Sequence, residues 1–522
     1  MYVSSATQSI ALHVEDPFYL RGLLPQSRTL HDPEYNFAAK WTLHNTRVLR
    51  NLGYEVPSPI RCGYLWPGKF QPYEHQIEMA EFWTLNKRGF NLSDPGTMKT
   101  NSALWAADYL MKLGEIKKVL ICAPLSTLET VWLQDIFDTL MHRRAVVVHG
   151  SRDQRKKALS GSFDFYILNH DGVKIAEINK IIRSDKDISV VIIDEGDEFR
   201  NAQSEKYKAL AAMLRPDMRL WWQTGTPCPN DPTDAWAQAK LVNPTGVPKY
   251  FGQFKRDTMM QITPFKWVPR RGANSLAYEV MQPAIRFRKQ DCITLPPVVT
   301  TRRQAQLTSA QRKAFDTMKE EMYLEDVKNQ LSGGMITAVN AADRITKLRQ
   351  ILCGCVKDPD SDTYMTIDHA PRVQVLMDCI ARANAKVIVI VPFKGIIKSL
   401  AKEIAKQYSV GVLNGDVSPG QRRKTIQDFK SGADPHVLLC HPKVMSHGLN
   451  LTEADTTIFY APIFSNAQFQ QVIERFNRAG QKNHMTLVRI GAHPLEWVYY
   501  DKTDVATKNQ YDMLQLYRKY IA

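Results

Sequence analysis

VVIIDEGDEFRNAQS, residues 190–204, places four apolar β-formers directly before two carboxylates, Asp194 and Glu195. Buried parallel strands have this composition, and open α/β sheets bind ligands at the carboxyl ends of such strands. An aspartate there can hold Mg²⁺, and a glutamate beside it can orient or deprotonate an attacking water. The stretch therefore predicts a parallel α/β sheet with a nucleotide-hydrolysing site, although an ordinary strand that ends in an acidic turn would also fit.

A phosphate-binding loop upstream would decide between these interpretations, and SDPGTMKT, residues 93–100, has its form. Backbone N–H groups of such a loop cradle phosphates at a helix N-terminus, its lysine reaches the β- and γ-phosphates, and its hydroxyl binds Mg²⁺. Met98 stands where the loop usually has glycine. Gln76 offers the donor and acceptor that adenine requires. The candidate ATP-binding residues are Gln76, Asp94, Gly96, Thr97, Met98, Lys99 and Thr100, with Thr100 and Asp194 as the Mg²⁺ ligands.

The composition limits the class of protein. A chain of 522 residues can form about three or four domains, or two large α/β lobes. Its net charge of +15 and pI near 9.3 indicate a polyanionic partner, because clustered Lys and Arg neutralise phosphates. Eight scattered cysteines without paired zinc spacing predict reduced thiols in the cytoplasm. No apolar run reaches membrane-spanning length and no signal pattern is present, so we expect a soluble protein without a membrane partner.

Strand and helix patterns alternate in two separate parts of the chain, which predicts two parallel α/β lobes. The first series includes KKVLICAPLSTLETVW (117–132), FYILNHDGV (165–173) and LWWQTGTPCPN (220–230), and KVIVIVPFKG (386–395) begins the second. The predicted divisions are a small N-terminal α+β module at 1–68, a first lobe at 69–295, a helical insertion or linker at 296–365, and a second lobe with a C-terminal helix at 366–522.

The second lobe has no phosphate loop of its own, so it must contribute to the nucleotide site in another way. In QQVIERFNRAGQKN (470–483), Arg475 and Arg478 are i,i+3 neighbours on a predicted helix. Two guanidinium groups that face a γ-phosphate would act as arginine fingers and stabilise the charge of the transition state. A solvated basic helix is the alternative interpretation.

The ordered motifs resemble those of superfamily-two helicases, and most closely those of the Swi/Snf group. They are Gln76, SDPGTMKT, APLSTLETVW, DEGD, TGTP, VPFK, GLNLTEADTTIFYAP and QVIERFNRAGQ. The resemblance covers about residues 70–490 and implies two tandem RecA-like lobes that hydrolyse ATP. It assigns adenine recognition to Gln76, phosphates and Mg²⁺ to Lys99 and Thr100, and metal and water to Asp194 and Glu195. By the same resemblance, Gly448 and Asn450 couple the second lobe to the nucleotide, and Arg475 and Arg478 are the fingers.

Departures from the pattern are Met98 in the loop and Gly196-Asp197 in place of Ala-His, and neither removes a catalytic group. Members of the family track a nucleic-acid backbone across both lobes. Loops at the corresponding strand ends carry hydroxyl, amide and basic side chains that suit phosphate contact without base readout. These candidate DNA contacts are Ser126, Thr127, Asn169, His170, Thr224, Thr226, Lys394 and Ser446.

The resemblance favours an ATP-driven translocase that remodels branched DNA, and residues 31–57 look like the small HARP-type modules of annealing helicases. A plain packing appendage would explain these N-terminal residues equally well. A strand-separating DNA or RNA helicase is an alternative, although the sequence shows no clear pin hairpin. A nonhydrolysing DNA-binding scaffold with a decayed loop is a third, supported by Met98 alone. The compact length indicates a bacterial or phage protein, which would act in the bacterial cytoplasm.

Overall fold

The computed structural model describes residues 1–263, 266–292, 296–331, 338–357, 363–445, 451–463, 466–477, 481 and 483–504. Its described residues divide into two compact units, 1–292 and 296–504. Each unit contains a parallel β-sheet with helices packed on it, which confirms the predicted fold class. Among the described residues, no helix is both long and apolar enough to cross a membrane.

The chain begins with a small module, residues 1–56, built on a four-stranded antiparallel sheet in the order β1-β2-β4-β3. Thr42 caps its second helix by accepting a hydrogen bond from the backbone N–H of Asn45 at 3.2 Å. The core of the module includes Phe37 and Leu49, which are fully buried. Its elements are β1 (Tyr2–Ser4), β2 (Ser9–Leu12), α1 (Pro17–Leu23), β3 (Ser27–Thr29), β4 (Phe37–Lys40) and α2 (Leu43–Asn51).

The segment that follows the module is part of the first lobe's core. Ile60, Tyr64 and Trp66 belong to the same buried cluster as helices of the lobe, and the Tyr64 hydroxyl donates to the buried Asp108 carboxylate at 2.7 Å. The module itself is tied to the lobe by Arg47, whose guanidinium lies 3.0 Å from Glu115. Residues 58–66 therefore pack as part of the first lobe, whereas residues 1–56 have a hydrophobic core of their own.

The described first lobe contains a seven-stranded sheet in the order β13-β5-β10-β9-β6-β8-β7, with every neighbouring pair parallel. Its strands are apolar on both faces, as expected for a sheet covered by helices on both sides. Trp221 packs on one face and Trp222 on the other. The elements are α3 (Ile60–Gly63), α4 (Glu74–Leu85), β5 (Arg88–Asn91), α5 (Lys99–Lys112), β6 (Lys118–Ala123), α6 (Gln134–Thr139), β7 (Ala145–Val148), α7 (Arg152–Ser160), β8 (Phe165–Asn169), α8 (Ala176–Ser184), β9 (Ile188–Ile193), α9 (Glu205–Met213), β10 (Arg219–Gln223) and α10 (Asp234–Val242).

A smaller helical segment with a β-hairpin follows α10 and includes β13, the edge strand of this sheet. Its hairpin, β11 with β12, forms a separate two-stranded antiparallel sheet among the described residues. The sequence analysis assigned no strands to this segment, and its expectation that no clear pin hairpin is present stays a prediction. The segment consists of α11 (Phe251–Thr258), β11 (Met259–Thr263), β12 (Lys266–Pro269), α12 (Ala273–Val280), β13 (Ala284–Ile285) and α13 (Lys289–Cys292).

The second unit is organised around a sheet in the order β14-β21-β20-β17-β19-β18, parallel throughout its described strands. Two buried clusters cover its faces. Its elements are β14 (Val298–Gln304), α14 (Ser309–Leu331), α15 (Ala338–Cys353), β15 (Cys355–Lys357), β16 (Tyr364–Thr366), α16 (Ala370–Ala381), β17 (Lys386–Ile390), α17 (Lys394–Ile404), β18 (Val410–Leu413), α18 (Pro419–Ser431), β19 (Val437–Cys440), α19 (Pro442–Met445), β20 (Ala454–Phe459), α20 (Asn466–Phe476) and β21 (Met485–Gly491). Residues 494–504 are helical.

Candidate active site

The predicted phosphate loop connects β5 to the N-terminus of α5. Two of its residues have left-handed backbone conformations, Gly96 with φ of +84° and Met98 with φ of +59°. Among the described residues no side chain caps α5, so its first N–H groups remain available to an anion. A fourteen-residue helix that begins uncapped behind such a loop is suited to binding phosphate.

Lys99 and Thr100 are the first two residues of α5. The Lys99 ammonium donates to the carbonyl oxygen of Ser93 at 2.6 Å, so it lies folded over its own loop. Thr100 is half-buried one residue further on. The Thr97 hydroxyl donates to the Asp94 carbonyl oxygen at 2.8 Å, which tightens the turn. The loop is therefore preorganised by its own hydrogen bonds, and the lysine can exchange a carbonyl partner for a phosphate.

The start of α4 supports the loop from a second direction. The Gln76 side chain accepts from the Tyr73 backbone N–H at 3.0 Å and donates to the Met98 carbonyl at 3.4 Å. His75 makes a hydrogen bond of 3.2 Å with the Thr97 carbonyl, and burial lowers the pKa of its imidazole. His75 and Gln76 therefore form hydrogen bonds with two successive carbonyls of the loop, those of Thr97 and Met98. Adenine recognition by Gln76 stays a prediction.

Asp94 is fixed by a segment about 190 residues away in the sequence. Its carboxylate lies 3.2 Å from the buried Arg286 guanidinium and accepts from the Lys289 backbone N–H at 3.1 Å. The Ser93 hydroxyl accepts from the Phe287 backbone N–H at 3.0 Å. Sequence reasoning missed these partners. The basic run IRFRKQD was the available signal.

The acidic strand end lies at the carboxyl edge of β9. The Trp132 indole N–H donates to the Asp194 carboxylate at 2.9 Å, and His170 makes a hydrogen bond of 2.8 Å with the Asp194 carbonyl. Burial, helped by the charge of Glu195, raises the pKa of Asp194 to about 6, although the Trp132 hydrogen bond and the Lys99 ammonium act in the opposite direction. Lys99 and Asp194 therefore interact electrostatically, which brings the phosphate loop and the acidic strand end into one site.

Glu195 and Gly196 turn the chain sharply after the strand. Glu195 has φ of +49°, a left-handed conformation that costs a non-glycine residue about 1–2 kcal/mol. A Cβ on Gly196 would lie 1.9 Å from the Trp222 indole nitrogen, so only glycine fits there. Burial raises the pKa of Asp197 well above its usual range, and the Thr224 hydroxyl lies 3.4 Å from its carboxylate. DEGD and TGTP are thus in direct contact.

TGTP also reaches the phosphate loop. A Cβ on Gly225 would lie 2.3 Å from the ring of Pro95, because the two backbones pack directly together. Thr224 donates its backbone N–H to the Asn91 carbonyl at 3.1 Å. The loop, the acidic strand end and TGTP therefore form one continuous edge of the sheet.

The oxygen ligands that Mg²⁺ prefers are present at this edge. The Asp194 carboxylate and the Thr100 hydroxyl are hard oxygen donors. A buried carboxylate whose pKa is raised by desolvation and by a neighbouring acid is stabilised in its charged form when a cation binds. The residues fit a divalent cation held together with a nucleotide phosphate.

In the second unit, Arg475 lies on α20 with 9% of its surface exposed. Its Nε donates to the Met445 carbonyl at 3.1 Å, and its own carbonyl accepts from the Leu451 backbone N–H at 2.9 Å. The side chain is thus held near residues 445 and 451, which flank the predicted coupling motif. Four further second-lobe predictions, Ser446, Gly448, Asn450 and Arg478, lie outside the described residues.

The candidate DNA contacts fall into two groups. Ser126 is exposed, and so is Lys394, which lies 2.8 Å from Asp416. The others are buried and hydrogen-bonded within the lobe: Thr127 to Pro124, Asn169 to Arg155, His170 to Asp194, Thr224 to Asp197, and Thr226 to Thr224. DNA contact by all of these residues stays a prediction.

Comparison with known proteins agrees with this geometry. The sequence profile of the SNF2-related domain matches residues 75–360, and that of the helicase conserved C-terminal domain matches residues 371–480. The chain belongs to the SNF2-related family. As an SNF2-related protein with both domains, it is a superfamily-two, helicase-like ATP hydrolase whose substrate is a nucleotide.

Individual relatives of this SNF2-related protein are distant. Protein p41 of Acyrthosiphon pisum secondary endosymbiont phage 1 is 25% identical over 445 residues, 79% of this chain and 90% of p41. The uncharacterized ATP-dependent helicase MG018 of Mycoplasma genitalium is 26% identical over 424 residues, 78% of this chain but only 38% of its own length. The Sulfolobus solfataricus SWI2/SNF2 ATPase core in complex with dsDNA matches at 19% identity with a TM-score of 0.42, and covers 86% of this chain and 96% of that one.

The left-handed Met98 gives a direct test of whether the loop is decayed. Replacing Met98 by glycine should leave ATP hydrolysis in place and stabilise the protein by up to about 1 kcal/mol, because glycine adopts φ of +59° without steric cost. A thermal melt and an ATPase assay of Met98→Gly measure both quantities. Met111→Gly, in the last turn of the same helix, is the control and should destabilise. If the wild-type protein does not hydrolyse ATP and the Met98→Gly variant does, the result supports the decayed-loop alternative.

Proposed function

We propose that this protein is an ATP-driven translocase on double-stranded DNA that remodels branched DNA by fork reversal, branch migration or annealing. The observation that carries the enzymatic part is the packing of TGTP against both other motifs: Gly225 lies directly on Pro95 of the phosphate loop, and the Thr224 hydroxyl lies 3.4 Å from the Asp197 carboxylate of DEGD. Membership of the SNF2-related family and a net charge of +15 support the DNA part.

In this proposal each side chain has a defined task. Lys99 leaves the Ser93 carbonyl and binds the nucleotide phosphates, while Thr100 and Asp194 hold Mg²⁺. The bound Mg²⁺ supplies positive charge that neutralises the phosphate oxygens. Glu195 orients the attacking water and accepts its proton. Trp132 keeps the Asp194 carboxylate in position through its 2.9 Å hydrogen bond.

The same proposal assigns DNA movement to the two lobes. ATP binding would draw them together and hydrolysis would release them, so that contacts with the DNA backbone advance stepwise. Such contacts are independent of base sequence and weaken steeply with salt. ATPase rates on single-stranded, linear duplex, forked and four-way DNA test the proposal. Stimulation by duplex and branched DNA supports it, and stimulation by single strands alone favours the strand-separating helicase.

The N-terminal module gives a prediction on substrate choice. Deleting residues 1–56 should leave DNA-stimulated ATPase largely intact, because all catalytic motifs and the core residues Ile60, Tyr64 and Trp66 are retained. Remodelling of forked or four-way DNA should fall much further than hydrolysis if the module recognises the branch. ATPase and fork reversal are measured side by side on the truncated protein, with a melting curve to check folding.

The full-length variant Arg47→Ala is the control for this deletion, since it removes the ion pair with Glu115 but keeps the module's own core. A packing appendage predicts a different pattern, in which deletion lowers the melting temperature and both activities together. Full retention of fork reversal by the truncated protein would remove the recognition role from the module.

A further inference from the structure

The phosphate loop follows β5, and the segments that follow both neighbours of β5 in the sheet contact it. β10 is one neighbour, and the TGTP turn after it packs on the loop where Gly225 meets Pro95. β13 is the other neighbour, and residues 286–289 after it contact the loop at Ser93 and Asp94. The loop is therefore supported from two sides.

The pairing of β13 with β5 continues beyond the strands into the loop. The Leu92 backbone N–H donates to the Ile285 carbonyl at 2.9 Å, and two residues later the Asp94 N–H donates to the Phe287 carbonyl at 3.0 Å. Equal steps on both chains are the hydrogen-bond spacing of a parallel ladder. The Phe287 N–H donates in turn to the Ser93 hydroxyl at 3.0 Å. The first residues of the loop thus have a fixed register against the chain that leaves β13.

The backbone and the carboxylate of Asp94 are both engaged inside the protein. Its carbonyl accepts from the Thr97 hydroxyl at 2.8 Å. One carboxylate oxygen accepts from the Arg286 guanidinium at 3.2 Å, and the other accepts from the Lys289 backbone N–H at 3.1 Å. The Arg286 side chain is only 3% exposed. Because a buried cation that loses its partner is costly, the carboxylate is held firmly at this position.

We propose that Asp94 and Arg286 are positioning residues for ATP binding. Their ion pair holds the phosphate loop in the conformation that receives the nucleotide, and Asp94 itself contacts neither the nucleotide nor Mg²⁺. A loop that is already held presents the N–H groups of α5 without an ordering cost at each binding event. The inference rests on the proposed ATP site, and it differs from the sequence-based expectation that Asp94 is one of the residues that bind ATP directly.

A double-mutant cycle separates positioning from direct contact. Asp94→Asn and Arg286→Gln should each weaken binding of a nonhydrolysable ATP analogue by about tenfold, because a charge-assisted hydrogen bond that orders the loop is lost. The double variant should bind no more weakly than either single variant, since both substitutions break the same pair. Effects that multiply in the double variant, or wild-type affinity in both single variants, would overturn the proposal.

Lys118 and Asp185 supply the matched control. They form an ion pair of 2.8 Å in the same lobe, with side chains 24% and 23% exposed. Lys118 begins β6, so the pair lies at the opposite edge of the sheet from the phosphate loop. Lys118→Gln/Asp185→Asn should leave binding of the analogue unchanged, and melting curves of all variants record the loss of stability. An equal loss of binding in this control would show that affinity follows the stability of the lobe, and would overturn the proposal.

Hydrogen exchange tests the position of the loop without nucleotide. In the ATP-free protein, the backbone amides of residues 94–98 should exchange at least about tenfold faster in Asp94→Asn and in Arg286→Gln, while those of β9 stay unchanged. Faster exchange confined to residues 286–292 would overturn the proposal. This readout also separates two failures: if the loop loosens in both variants but the wild-type protein binds no nucleotide, the proposed ATP site is wrong and the anchoring of the loop by Arg286 stands.

Discussion

Lys99→Ala and Glu195→Gln should each abolish ATP hydrolysis but differ in nucleotide binding. Lys99 is placed to contact phosphates, so its loss should weaken ATP affinity as well as turnover. In the proposed mechanism Glu195 acts on the attacking water, so Glu195→Gln should still bind ATP and Mg²⁺. The glutamine variant also keeps the left-handed backbone at φ of +49°, since Gln and Glu are equal in steric size there. A DNA-stimulated ATPase assay, combined with binding of a fluorescent ATP analogue, measures both effects.

Lys99→Met distinguishes loss of charge from loss of length, because the methionine side chain nearly matches the reach of lysine. It should be as inactive as Lys99→Ala. Lys117→Ala is the matched control, with a side chain 74% exposed and remote from the loop. Substantial turnover by either Lys99→Ala or Glu195→Gln would refute the assignment of the site.

Arg475→Ala should lower turnover strongly with only a modest loss of ATP affinity, because a finger acts mainly on the transition state. The rate could fall by about a thousandfold if Arg475 is the principal finger. The same expectation holds for Arg478→Ala. The kinetic constants kcat and KM and the ATP affinity are measured for each variant.

Arg475 needs a stability control, because its Nε also donates to the Met445 carbonyl. A melting curve of Arg475→Ala separates misfolding from a catalytic defect, and Arg475→Lys tests whether charge alone suffices. Arg382→Ala is the matched control, since Arg382 is exposed on the same unit. Normal hydrolysis by both Arg475→Ala and Arg478→Ala would rule out the second lobe as the source of the fingers.

The sequence predicts those parts of the site that are formed by a single short segment with a characteristic order of residue types. The phosphate loop and the acidic strand end are each one strand with the residues that follow it, so hydrophobic runs and residue types identify them. Met98 was read as a departure from the loop pattern. Its left-handed conformation shows that the position keeps the backbone of a glycine even though the residue has changed.

Contacts between distant segments could not be predicted in the same way. Arg286 and Lys289 fix Asp94 across about 190 residues of sequence, and no local pattern in either segment specifies its partner. The burial of Asn169 and His170 could not be predicted either, because a polar residue after a strand can face either solvent or a neighbouring loop. The hairpin was missed because the two strands are short and no Asn-Gly or Asp-Gly dipeptide lies between MMQIT and KWVP to mark a turn.

The direct packing of Gly225 on Pro95 has a consequence for how this family can diverge. A methyl group at position 225 would fall 2.3 Å from the proline ring, and the backbone on both sides leaves it no room. The order of change is therefore constrained: position 225 can accept a side chain only after the proline ring at position 95 has been lost or moved, whereas position 95 can change first. Positions 95 and 225 therefore constrain one another across 130 residues of chain.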